Sequence, residues 1–161
     1  MMRWRRTAPA LILLADAGLL VWGAMAALLP EHLLGPNAAP ILAAGYENFT
    51  GLSWSELAST SPQTQAFITV LFRLYGVFNV AVGVFAIAVT VTAFRRGERW
   101  AWWALLLGNT IAYGAAMTYD RIVNAIGPFE ILEYVGIAGV YAALAVTAPF
   151  GSRARIAGAS A

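Results

Sequence analysis

The sequence predicts an all-α membrane protein. One domain covers residues 1–161, with four transmembrane helices in an antiparallel bundle and a short surface helix in the first outer loop. Three observations lead there. Hydrophobic residues make up 60% of the chain and charged residues 11%, where a soluble domain carries about 45–50% and about 25%. Apolar residues gather in four blocks, near 8–29, 66–94, 100–119 and 129–150, each long enough for a hydrocarbon core of about 30 Å. All ten basic residues are Arg, and they cluster at the chain ends and in one short turn.

The first block follows Arg3, Arg5 and Arg6 and holds one charge, Asp16. Ala24-Met25-Ala26 fits a small-x-small cleavage site, so a signal peptide competes with a retained helix. The block is longer than the usual 7–15-residue signal core, and Asp16 in its middle favours the retained helix. The outer segment 30–65 is punctuated by Pro30, Pro36, Pro40, Pro62 and three glycines. Ser53-Trp54-Ser55-Glu56 fits a capping box and predicts a helix from Trp54 to about Ser59. Trp54 and Leu57 would lie on the membrane surface. Asn48-Phe49-Thr50 matches a glycosylation sequon by chance, and His32 is incidental.

The second block is longer than a straight span requires. Arg95-Arg96-Gly97-Glu98-Arg99 makes a tight charged turn. The third block opens with Trp100, Trp102 and Trp103 as an interfacial belt. The fourth follows Gly127-Pro128 and closes near Gly151. With four spans, eight arginines (3, 5, 6, 95, 96, 99, 153 and 155) fall on one side. Both termini are therefore predicted to be cytoplasmic, with the chain crossing the cell (inner or plasma) membrane.

Depth along the helices separates the candidate site residues. Arg73, Asp120, Arg121, Glu130 and Glu133 fall in one outer layer, either a solvated rim or an outward-facing polar pocket with Arg73 paired to Glu133 or Asp120. Asp16 sits about 13 Å above the inner boundary. A carboxylate there costs about 2.5–3.5 kcal/mol and requires a partner or a proton. Asn109 lies at the same depth, with Tyr113 four residues on and Asp120 further outward on the same stripe. Asp16–Asn109 with Tyr113 is thus the expected buried polar site. Two roles stay open for it: interhelical glue, worth about 0.6 kcal/mol on average, or a functional site. Gly76 and Gly83, and Gly139 with Ala143, read as close-approach positions between helices.

Arg73-x-x-Gly76, the run Arg95 to Trp103 and the Thr50–Trp54 loop resemble small four-helix bacterial proteins of the DoxX-like type, over residues 50–150. That resemblance implies four spans and a link, in some members, to quinone-coupled sulfur oxidation. It implies no catalytic residue. Small multidrug transporters share four helices and a carboxylate in the first, but they lack the long loop that follows it here.

The absence of Cys excludes thiolate metal sites and disulfides, and a single His excludes a bis-histidine haem within one chain. No cofactor and no nucleic-acid partner are expected. The partners expected are the bilayer, a lipid or quinone ligand, and other membrane subunits or a second copy. Three function classes follow: an accessory or ligand-binding protein, placed first; a small proton-coupled transporter using Asp16; and an enzyme on a lipid-soluble substrate using Glu130, Glu133 and Arg73.

Overall fold

A computed structural model describes residues 2–35, 39–124 and 126–149, with side chains from residue 7 onward except at 128. The side chains of Arg3, Arg5 and Arg6, and the whole of Arg153 and Arg155, lie outside this description. The described residues form six α-helices and no β-strand. They are α1 (Met2–Leu28), α2 (Ile41–Thr50), α3 (Trp54–Thr60), α4 (Pro62–Thr92), α5 (Arg99–Val123) and α6 (Pro128–Thr147).

Three segments are long and apolar enough to cross a membrane: Thr7–Leu28, Pro62–Arg96 and Phe129–Thr147. The 25 residues of α5 give it the length, but its Trp, Asn and Tyr residues make it less apolar. The exposed and buried residues are distributed as in a lipid-facing protein. Asp16, Asn79, Thr90, Asn109, Asp120 and Glu130 are buried, while Leu14, Phe67, Phe85, Leu107 and Ile111 are exposed. Water would favour the reverse.

α1 packs along α4 and α6, and α5 touches α4 and α6. The α1–α4 crossing brings backbone against backbone. A Cβ on Gly76 would stand 2.5 Å from the Ala27 nitrogen, and one on Gly23 would stand 2.8 Å from the Gly76 oxygen. The close approach expected at Gly76 and Gly83 is therefore present. At Gly139 it is absent, because nothing lies within 4 Å of its Cβ direction. Ile12, Leu105, Val140 and Leu144 anchor the apolar core toward the Arg95–Arg99 end.

α3 forms where expected, with Ser53 Oγ accepting from the Glu56 amide at 3.4 Å, while the return bond from the Ser53 amide to the Glu56 carboxylate that completes a capping box is not formed. The Trp54 amide is held by Glu47 Oε1 at 2.9 Å. The outer segment holds a second helix, α2, where a loop was expected. Its apolar start at Ile41 follows Pro40, and Gly51 (φ +71°) ends it in the left-handed region. α2 docks on the end of α5, where the Asn48 amide donates to the Asn124 carbonyl at 2.9 Å. Pro62 opens α4 rather than preceding it, because a proline at the first helical position forfeits no intrahelical bond.

Candidate functional site

Asp16 is fully buried, at 0% exposure. Neither of its carboxylate oxygens has a hydrogen-bond partner; Thr90 Oγ1 is the only other such buried side-chain atom among the described residues. The expected Asp16–Asn109 hydrogen bond is not formed. Asn109 is buried, but its amide donates to the Leu105 carbonyl at 2.9 Å, one turn back on its own helix. A local carbonyl at i−4 competes well with a partner on another helix. Tyr113 is buried and lies within the electrostatic reach of both Asp16 and Glu133. A Cβ added to Gly136 would be 3.9 Å from both Ala15 Cβ and the Tyr113 hydroxyl. Gly136 thus packs α6 against Tyr113, three residues inward from Glu133.

Toward the other end of α5, Trp22, Phe72, Tyr75, Tyr119, Asp120 and Glu133 line a pocket with Glu130 and Phe129. Its free volume is about 30 Å³, room for about two waters. The three carboxyls feel one another's charge. Two of them have local partners: Glu130 Oε2 accepts from the Gly127 amide at 2.6 Å, and Asp120 Oδ2 accepts from the Tyr134 hydroxyl at 3.4 Å. Glu133 has no hydrogen bond or ion pair among the described residues. No three acidic or His side chains among the described residues are grouped so as to hold a metal ion.

Arg73 is not in this pocket. It lies 3.7 Å from Glu31, with both side chains exposed. The expected pairing with Glu133 or Asp120 fails because Arg73 stands three residues before Gly76, on much the same face of α4. That face meets α1 and the turn that follows it. The proposed enzyme constellation of Arg73, Glu130 and Glu133 is therefore not assembled. The aromatic walls, Trp22, Phe72 and Tyr75, were not foreseen; their signal was three rings at the depth of the outer carboxyls. Trp22 packs edge-on against both of the others.

Comparison with protein-family models, with curated proteins and with solved structures finds no match to this chain.

Proposed function

We propose that this is a small proton-coupled membrane transporter in which Asp16 is the proton-carrying group. In this reading α1, α4, α5 and α6 cross the bilayer of the cell membrane as an antiparallel bundle, with both termini in the cytoplasm. α5 counts as the fourth span because Asn109, Tyr113 and Asp120 are buried while Leu107 and Ile111 are exposed. The Arg distribution supports the orientation. The DoxX-like resemblance fits four spans and adds no chemistry.

One observation carries the reading: Asp16 is wholly buried and its carboxyl has no hydrogen-bond partner. A residue acting as glue would bond to a neighbouring helix. An ionisable group inside a membrane protein without such a bond points to function. The outer pocket, which Glu133 lines, supplies the entry. A proton from outside protonates Glu133. Tyr113 hydrogen-bonds to neither carboxyl among the described residues, so transfer needs bridging water or a side-chain rearrangement; the hydroxyl then accepts that proton as it releases its own to Asp16, and Tyr113 ends as it began. The pocket's 30 Å³ suits water and protons; a quinone or lipid would need it wider.

Proton flux into proteoliposomes under an imposed pH gradient tests this reading. Wild type should carry flux, and Asp16→Asn should lose it while remaining folded. Equal flux in both would end the proposal. A second reading, binding of a small amine, is favoured by the aromatic walls beside carboxyls; amine binding abolished by Glu133→Gln but kept in Asp16→Asn would select it.

A further inference from the structure

A second pocket opens at the opposite end of the long helices. Pro9, Phe94, Arg95, Arg99, Trp102 and Thr147 line it, drawing on α1, the α4–α5 connection, the start of α5 and α6. Its free volume is about 210 Å³, against 30 Å³ for the outer pocket. Phe94 and Trp102 are buried and give it an apolar floor.

The rim is cationic. Arg96 Nε donates to Glu98 Oε1 at 2.8 Å, and the Trp100 indole donates to Oε2. The indole, then the guanidinium, hold the Glu98 carboxyl below the usual carboxylate range. Glu98, which also lines the pocket, thus stays ionised and offsets Arg96. Arg95 and Arg99 are left over: neither has a hydrogen bond or ion pair among the described residues. Gly97, at φ +77°, folds the turn so that both arginines border one opening. α5 starts at Arg99 without a side-chain cap, so its positive end adds to the field.

We propose that this pocket binds a phosphate group, held by Arg95 and Arg99 above the apolar floor of Phe94 and Trp102. Guanidinium groups match phosphate oxygens in geometry and charge. Basic pockets between transmembrane helices take lipid headgroups on the same grounds. The volume suits a headgroup and is below the 300–1,000 Å³ of pockets for larger ligands. A phosphate of this kind has two sources, an anionic phospholipid or soluble phosphate. The inference needs the Arg95–Arg99 turn at headgroup level and is independent of the role of Asp16.

The test is native mass spectrometry of the full chain in detergent, titrated separately with phosphatidylglycerol, phosphatidylcholine and inorganic phosphate. Wild type should retain phosphatidylglycerol about tenfold more tightly than the double variant R95Q/R99Q. R121Q, a control at the other end of α5, should bind like wild type, and R95K/R99K should keep most of the binding. Binding of phosphatidylglycerol with none of inorganic phosphate identifies a lipid site; Arg-dependent binding of inorganic phosphate identifies a soluble ligand. Equal retention of phosphatidylglycerol and of inorganic phosphate by wild type and R95Q/R99Q overturns the proposal. If R95Q/R99Q does not fold, the single variant R99Q decides it: unchanged binding there overturns the proposal as well.

Discussion

Gly76→Ala offers a severe test of the helix packing. Its new methyl group would lie 2.5 Å from the Ala27 nitrogen, 2.7 Å from the Gly23 oxygen and 2.9 Å from the Ala26 carbonyl carbon. All three are backbone atoms, so no side chain can turn aside. Restoring an ordinary contact of about 3.5 Å means parting α1 and α4 by about 1 Å. Overpacking of that kind costs about 1–3 kcal/mol. Better helix propensity returns at most about 1 kcal/mol. The ranking is as informative as the size. Gly83→Ala should be milder, because its contacts are longer: Leu20 Cβ at 2.9 Å, the Asp16 carbonyl oxygen at 3.1 Å and Leu20 Cα at 3.2 Å. Gly139→Ala meets nothing within 4 Å and should be neutral or slightly stabilising. Reversible unfolding in mixed micelles, followed by circular dichroism, measures all three. Equal stability of Gly76→Ala and Gly139→Ala would refute the backbone contact between α1 and α4.

Asp16→Leu should leave folding intact and stabilise the protein by about 1–3 kcal/mol, because it removes a buried polar group that has no partner; the same unfolding assay would show a loss instead if Asp16 were glue. Trp102→Phe should cost about 1 kcal/mol, since the indole donates to the buried Leu144 carbonyl at 2.8 Å, and should leave proton flux unchanged. Amides from Trp54 to Ala58 should be protected in hydrogen exchange, and Glu47→Ala should weaken that protection by releasing the Trp54 amide; fully exchanged amides in the wild type would refute an ordered α3. Reporter fusions at residue 161 should be active only in the cytoplasm, and those within residues 39–60 only outside; the opposite pattern would reverse the topology.

The long helices were legible because apolar blocks are separated by charge and by Pro or Gly. The Ser53 cap was legible because its chemistry is local. α2 was not, because Pro and Gly around Ile41–Thr50 read as loop, while the helix depends on docking at Asn124. Depth arithmetic located Asp16, Asn109 and Tyr113 correctly as buried residues. Depth gives height along a helix, however, and says nothing of azimuth. Arg73 shares its height with the outer carboxyls, yet turns toward Glu31. Asn109 was matched in height with Asp16, yet a carbonyl on its own helix satisfies it. The free carboxyl of Glu133 emerged only once Glu130 and Asp120 had been matched with their local partners.

The central claim is that Asp16 holds an exchangeable proton reached through Glu133 and Tyr113. Infrared spectroscopy of the protein in lipid bilayers measures this directly, through the carbonyl band of a protonated carboxylic acid. The account predicts a band present in wild type and missing in Asp16→Asn. It should shift when deuterated buffer replaces water, and shift more slowly in Glu133→Gln and Tyr113→Phe. A spectrum with no band attributable to Asp16, or a band whose exchange is indifferent to Glu133 and Tyr113, would contradict it.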